Sequence, residues 1–332
     1  MAQRVTIIDV ANRAHVHYST ASRALRGERH VSPETIRRVQ EAAAELGYTP
    51  DAVARVLAGN EPRRPVVAAV VDETSFTGIG RNAQAFWFFL TMGMTARLAT
   101  AHTSFVMTTN EGLTSMGSTP IDVIVALSIT DEQLAVPQQL SDVPVVVERT
   151  RSHVEGAAAL MGHDHSAIAE SVCQLLSDRG ARHIAFMPMS GVDTVSQAGG
   201  AGYALWAAAN GMTPHVIEPA VDPVTAQENA RRAVEAGADA IYSMSTQLAA
   251  VLDGVRDAGR RIPQDVQVVG LGSGVLEPYF NPPLTVVDLC GEKSGAAIAD
   301  LAQRVQGDRL FEILDLPWTI VERDSTRGRQ QA

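Results

Sequence analysis

The run TIIDVANRAHVHYSTASRAL, residues 6–25, decides how the amino-terminal end of this chain is read. Ile7, Val10, Ala11 and Ala14 fall at the i, i+3, i+4 and i+7 spacing that lines one face of an α-helix. Thr6 and Asp9 have the form of a capping box, in which each side chain satisfies the other residue's backbone donor. A break at His15-Val16-His17 leads into a second short helix whose buried side is Ala21, Ala24 and Leu25. Tyr18, Ser19, Ser22 and Arg23 are then left outside, hydrogen-bonding groups that no core requires. By itself this pair reads either as a helical hairpin with a solvated polar face or as a helix-turn-helix that enters DNA.

The next segment favours the second reading. Ser32-Pro33-Glu34 is a helix start, with a side-chain cap, a proline at the first helical position and an acid at the positive end of the dipole. Ile36, Val39, Ala43 and Leu46 form the apolar stripe of this third helix and Gly47 stops it. Three short helices make a compact head that can hold one recognition helix in a major groove. A short helical pattern, PDAVARVLAG at 50–59, and a Pro62-Arg63-Arg64-Pro65 linker follow. So short a helix forms only when something packs against it.

The DVA-x-x-A-x-V-x-Y-x-T-x-SR run, the HVSPET helix start and the VARVLAG segment resemble the head and hinge of the LacI/GalR repressor family. The resemblance implies that Tyr18, Ser19 and Arg23 meet base edges, while Thr6, Thr20, Ser22 and His30 hold the phosphate backbone. That division suits the chemistry, because Arg can fork onto guanine whereas hydroxyls and His anchor phosphates without reading sequence. It further implies that the hinge helices of two subunits pair in the minor groove through Ala54, Leu57 and Ala58, with Leu57 as the wedge that bends the duplex. Two positions depart from the family. His15 stands where glycine is usual in the tight turn, and Asp51 where asparagine is usual at the start of the hinge.

The chain has 332 residues, enough for two or three domains and a sizeable core. No apolar run reaches the roughly 18 residues of a membrane span, and MAQRVTIIDV has no signal-peptide hydrophobic region, so a cytoplasmic protein is expected. Cys173 and Cys290 are far apart without metal-type spacing and read as buried thiols. Net charge is −10, which taken whole argues against DNA. Residues 1–64, however, hold ten arginines against seven acids, while the remainder holds 17 Lys or Arg against 30 acids. An acidic body keeps the rest of the chain off the duplex and leaves contact to the basic head.

From Pro65 onward, β-branched runs (VVAAVV, SFVMTT, VIVALS, VPVVVE, AAALM, HIAFMP, VQVVG, LTVVDL) alternate with helical segments such as 86–101 and 166–179, the pattern of parallel α/β architecture. The resemblance implies a periplasmic-binding-protein-like body of two Rossmann-like lobes around a ligand cleft, with three crossings between them. These are expected near 151–156, 284–287 and 311–317. The domain plan is then a helix-turn-helix head at 1–48, hinge and linker at 49–64, a first lobe of 65–150 plus 286–310, and a second lobe of 151–285 plus 311–332. No leucine-heptad tail follows WTIVERDST, so a homodimer is expected rather than a tethered tetramer. In the first lobe, 72–85 is longer than the family's first loop, and 110–121 is too short for its usual helix, so one layer is expected to be missing or rebuilt.

Phe86 and Trp87 fall where the family places pocket aromatics, although FWFFL at 86–90 reads equally as core. The polar pocket positions depart most from the family. Gly199 replaces an arginine, and Ser245-Thr246 followed by Gln247 replaces an Asn-Asp pair. Gly272 replaces the acid after the VVG strand, and Arg149 the acid that ends VPVVV. These changes remove the groups that grip sugar hydroxyls. The options for this cleft are an apolar or anionic effector, a protein partner, or no effector.

Rival motifs are weak. Gly270-Leu-Gly272-Ser-Gly274 follows a strand, but Pro278, Pro282 and Pro283 prevent the long helix that a dinucleotide needs. His153, His163 and His165 cluster around Asp164, but the spacing of His163 and His165 puts both on one strand face without a third fixed ligand, so they read as surface histidines and no metal is expected. Ser190 and Ser273 lack a nucleophile elbow and a paired base. The expectation is a non-enzymatic, cofactor-free regulator that binds double-stranded DNA at a palindromic operator, does not contact membranes and carries an atypical cleft. The second reading is a cytoplasmic ligand-binding or sugar-modifying protein whose head is a vestigial or interaction module.

Overall fold

A computed structural model of the chain describes residues 5–25, 31–48, 63–72, 81–116, 119–139, 143–148, 154–189, 194–307 and 311–328. The chain divides into two compact units, Met1–Arg64 and Pro65–Ala332. His30, Asp51, Ala54, Leu57, Ala58, Arg149 and His153 lie outside the described residues.

The head consists of α1 (Ile7–Arg13), α2 (Tyr18–Leu25) and α3 (Pro33–Glu45). Both halves of the expected capping box are present, since the Thr6 side chain accepts from the Asp9 N–H and the Asp9 carboxylate takes the Thr6 N–H at 2.7 Å. Ser32 caps α3 by accepting from the Thr35 N–H at 3.3 Å, with Pro33 at the first position. The three helices meet in a core of small residues: Val10, Ala11, Ala14, Ala21, Ala24, Val39, Ala42 and Ala43. So many alanines bring the helices close but bury little area, which leaves the caps a large share of the head's stability.

The turn from α1 to α2 passes through His15 at φ 51, the left-handed conformation that favours glycine. A side chain there costs about 1–2 kcal/mol, while the extra freedom of glycine in the unfolded chain costs about 0.4–1 kcal/mol. His15→Gly is therefore expected to stabilise the head by up to about 1 kcal/mol. Slower hydrogen exchange at the α1–α3 amides of the full chain would register this; faster exchange would contradict it.

The body is built from two six-stranded sheets of matching plan. The first contains β1 (Val66–Val71), β2 (Ser104–Thr108), β3 (Val123–Leu127), β4 (Val145–Glu148), β5 (Ala159–Gly162) and β11 (Glu312–Asp315), in the order β11-β5-β4-β3-β1-β2. The second contains β6 (Ile184–Met187), β7 (His215–Val216), β8 (Ala240–Ser243), β9 (Gln267–Gly272), β10 (Thr285–Asp288) and β12 (Thr319–Val321), in the order β12-β10-β9-β8-β6-β7. All pairings are parallel except the antiparallel β10–β12 pair. Near-continuous β-branched runs such as VVAAVV become fully buried strands, because helices cover both faces of each sheet.

The helices of the body are α4 (Arg81–Thr100), α5 (Asn110–Ser115), α6 (Asp131–Gln138), α7 (His165–Asp178), α8 (Thr194–Ala209), α9 (Pro223–Glu235), α10 (Leu248–Asp257) and α11 (Gly291–Gly307). Three pairs pack through glycines at their crossings. A Cβ on Gly295 of α11 would lie 2.0 Å from the Leu90 carbonyl oxygen of α4. One on Gly202 of α8 would lie 2.3 Å from that of Ser166 in α7, and one on Gly254 of α10 would lie 2.2 Å from that of Gln227 in α9.

The lobe boundaries differ from those expected. Ala159–Gly162 pairs with Val146–Glu148 and so belongs to the first lobe, which moves the first crossing past Gly162. Thr285–Asp288 pairs with β9, so the second crossing lies at 289–290 rather than 284–287. Glu312–Asp315 pairs with β5, which returns that strand to the first lobe and sets the third crossing at 316–318. Of the first-lobe segments expected to be altered, most of 72–85 lies outside the described residues, and 110–121 keeps a helix, though a short one. The segment after β2 forms the short helix α5, capped by Thr109, whose side chain accepts from the Gly112 N–H.

Candidate functional site

In the head, the side chains expected to face DNA lie on α2. Tyr18 is 56 % exposed, Arg23 is exposed, and Ser19, Thr20 and Ser22 are half-buried, with Ala21 and Ala24 holding the opposite face in the core. His17 starts this helix, a role that sequence reasoning missed. Its Nδ1 accepts from the Ser19 N–H at 3.4 Å, lies 2.9 Å from the Ser19 hydroxyl, and its ring stands 4.5 Å from that of Tyr18. Thr6 is exposed, but its hydroxyl and its N–H both donate to the Asp9 carboxylate at 2.7 Å. These bonds hold the Asp9 pKa below its ordinary value and engage both donors of Thr6 in the cap.

In the body, the carboxyl ends of the two sheets line a common cleft, the position at which open α/β sheets bind ligands. Ser128, Glu148 and His163 line it just past or at the ends of β3, β4 and β5. From the second sheet come Met189, Met244, Thr246, Leu271, Gly272 and Leu289, each at or just past a strand end. Phe86 and Trp87 of α4, His165 at the start of α7 and Val195 at the start of α8 complete the lining. The cleft is open on one side and has a volume of about 120 Å³.

Phe86, Trp87 and Gly272 stand in the cleft as expected, and the two aromatics also pack into the core. Gly199, Ser245 and Gln247 do not line it. Gly199 is buried, and a Cβ there would lie 2.7 Å from the Met244 sulfur. Ser245 is fully buried, its hydroxyl accepting from the Gln247 N–H at 3.1 Å, while the Gln247 amide donates to the Val221 carbonyl at 3.2 Å. These two residues build the turn into α10, and Thr246 is the member of the run that reaches the cleft.

Two further expectations are corrected. His163 and His165 are not surface residues. Each is 3 % exposed, their ring centroids are 5.9 Å apart, and both face the cleft. They fall at the first crossing, where the chain passes between two buried sheets. The strand that ends VPVVV also keeps an acid, Glu148, one residue before Arg149. Its carboxylate accepts from the Ser128 N–H at 2.8 Å and from the Ser128 hydroxyl at 3.3 Å. Ser128 sits at φ 48, strain of the kind that persists where surrounding contacts over-determine the backbone.

His163 occupies the junction of the crossings. Its Nε2 lies 3.1 Å from the Leu289 carbonyl of the second crossing and 3.4 Å from the Ser294 hydroxyl. Burial lowers its pKa to about 4, opposed by hydrogen bonds to the carbonyls of Leu289 and of Pro317 in the third crossing. The imidazole is thus neutral at ordinary pH. Cys173 is buried, with its thiol pushed up to about 12, and Cys290 is half-buried, its thiol also raised by burial. Among the described residues, no group of three His, Cys, Asp or Glu could hold a metal ion, and no helix is long and apolar enough to cross a membrane.

Residues 6–51 match the family model for bacterial regulatory proteins of the lacI family, and residues 173–326 match that for a periplasmic binding protein-like domain. HTH-type transcriptional regulator CelR of Thermobifida fusca is 29 % identical over 92 % of this chain and 93 % of its own. Catabolite control protein A of Staphylococcus xylosus is 28 % identical over 85 % and 87 %. HTH-type transcriptional repressor PurR of Erwinia tasmaniensis is 27 % identical over 96 % of both. Among solved structures, the lac repressor dimer bound to operator and the anti-inducer ONPF aligns over 98 % of this chain and all of its own, with a TM-score of 0.78 at 18 % identity. The complex of transcriptional regulator CelR with cellobiose aligns over 97 % and 100 %, with a TM-score of 0.67 at 24 % identity. With a capped helix-turn-helix head in front of a two-sheet periplasmic-binding-protein-like body, this chain belongs to the LacI family of DNA-binding transcriptional regulators.

Proposed function

We propose that this protein is a cytoplasmic repressor that binds a two-fold symmetric operator as a homodimer and is regulated by a small molecule in the interlobe cleft. The observation that carries the reading is α2, a helix held by its alanine face that turns Tyr18, Ser19 and Arg23 outward with no core to explain them. In the proposed complex Tyr18, Ser19 and Arg23 read base edges, and Thr20, Ser22 and His30 hold phosphates. Thr6 joins them only if it gives up a bond to Asp9. Ala54, Leu57 and Ala58 act in the minor groove.

A second copy is supported by apolar groups on the surface of the body. Phe88 and Met92, one turn apart on α4, are 60 % and 50 % exposed, and Tyr279 is 85 % exposed close to Leu276. The lac repressor relative is a dimer on its operator, and the CelR relative holds cellobiose, which supports both an assembly of two and an effector for this chain.

Selection of bound duplexes from random DNA with the full-length chain tests the proposal. A two-fold symmetric site is expected to enrich, and Arg23→Ala is expected to relax preference at one position per half-site by about 1–3 kcal/mol. Unchanged preferences in the variant would remove Arg23 from base readout. Failure to enrich any sequence would overturn the operator-binding reading.

A further inference from the structure

We infer that the ligand of the interlobe cleft is a monocyclic aromatic molecule carrying a hydroxyl or amine donor, a phenol or an arylalkylamine, rather than a sugar. This rests on the reading of the cleft as an effector site and adds the class of molecule it takes.

Size comes first. The cleft, open on one side, holds about 120 Å³, and a dry aliphatic cavity of roughly 150 Å³ holds one benzene ring, so the described lining is on the scale of a single flat ring. The walls point the same way. Phe86 and Trp87 meet edge to face at 5.7 Å on one side, and Met189 and Met244 supply soft thioethers, groups that pack well against aromatic rings. Met244 is held there by a local exchange of volume. A Cβ at position 199 would lie 2.7 Å from its sulfur and 3.4 Å from Phe186, so glycine on α8 is what lets this thioether occupy its place. Any side chain at this position would displace it. Gly272 works similarly, because a Cβ there would lie 2.3 Å from the Glu277 carboxylate, which accepts the Ser273 and Leu276 N–H groups.

The polar groups then select within ring compounds. Glu148 brings a carboxylate to the lining, and no Lys or Arg lines the cleft among the described residues. A donor on the ligand is therefore favoured over an anion. A pyranose carries a hydroxyl on nearly every carbon and would bury several of them unpaired against methionine, leucine and phenylalanine.

Calorimetric titration of the full-length chain with phenol, tyramine, benzoate, glucose and cellobiose tests the assignment. Phenol or tyramine is expected to bind at least about tenfold more tightly than benzoate, with no heat from either sugar. Glu148→Gln is expected to narrow the margin over benzoate, and Met244→Trp to abolish ring binding by filling the cleft. Should Met244→Trp fail to fold, Glu148→Gln alone decides. Glucose or cellobiose binding more tightly than the ring compounds, benzoate equalling tyramine, or no binding by any ring compound would each overturn the ligand class. Affinity for the selected duplex, measured in the same samples, separates this from the regulatory reading. A ring compound that binds without altering DNA affinity upholds the ligand class and removes the effector role. A sugar that binds and alters DNA affinity does the reverse.

Discussion

Between pH 6.5 and about 4 the body is expected to lose about 3 kcal/mol more stability in the wild-type chain than in a His163→Gln variant. The unfolded chain takes up a proton on this residue near pH 6.5, whereas the folded chain does so only near 4, because the ring is buried where the three crossings meet. Between those values the unfolded state binds more protons, so falling pH favours unfolding. The contribution is complete above 6.5, is lost as pH drops through this window and levels off below about 4. Glutamine retains an amide donor for the Leu289 carbonyl but does not titrate. Carboxylates with lowered pKa, such as Asp222 and Asp265, add acid lability of their own, but they are common to both proteins and cancel in the comparison. Trp87, Trp206 and Trp318 are the only tryptophans and all lie in the body, so fluorescence-monitored urea titrations report on it alone. Parallel pH profiles for the two proteins would show that His163 does not carry this sensitivity.

The head was legible because its determinants are local. The capping box at Thr6 and Asp9, the cap at Ser32, Pro33 and the alanine periodicity all act within a few residues, and each appears as read. Even the left-handed turn at His15 could be located, since the resemblance marks where glycine is usual. The sheet-forming runs were legible for the same reason. What their sequence does not carry is which sheet a short strand joins. Ala159–Gly162 and Glu312–Asp315 are four residues each, and only the pairing of the first with β4, and of the second with the first, assigns them to the first lobe.

The cleft was legible where the argument rested on aromatic position and failed where it rested on polar position. Placing the acid one residue too late missed Glu148, because consecutive residues of a strand face opposite sides and a shift of one exchanges them. Scanning the first three residues past each strand would have found Ser128, His163, Met189, Thr246 and Leu289 together, since strand ends are where open α/β sheets present ligand groups. The histidines were read as surface groups because no third fixed ligand accompanies them, yet burial follows from position. A crossing between two lobes is short, and its residues are enclosed from both sides.

Two glycines on α8, two residues apart, are expected to respond to alanine with opposite signs. Intrinsic helix propensity favours alanine over glycine by about 1 kcal/mol at either site. At Gly200 the added Cβ meets only the Phe186 ring at 3.6 Å, an ordinary contact, so Gly200→Ala should gain up to about 1 kcal/mol. At Gly202 it would lie 2.3 Å from the Ser166 carbonyl oxygen and 2.6 Å from its Cα, backbone atoms that no rotamer change can move aside. Here α7 and α8 must separate, and overpacking of this kind costs about 1–3 kcal/mol or more, which outweighs the propensity gain. Ser166 directly follows the cleft residue His165, and Gly199 lies one turn before Gly202, against Met244. Displacing this pair of helices should therefore weaken ring binding in the cleft as well as stability, while Gly200→Ala leaves ring binding intact. Urea titration and calorimetry on the two variants check both effects, and stability changes of the same sign would refute the close-packing account of this helix pair.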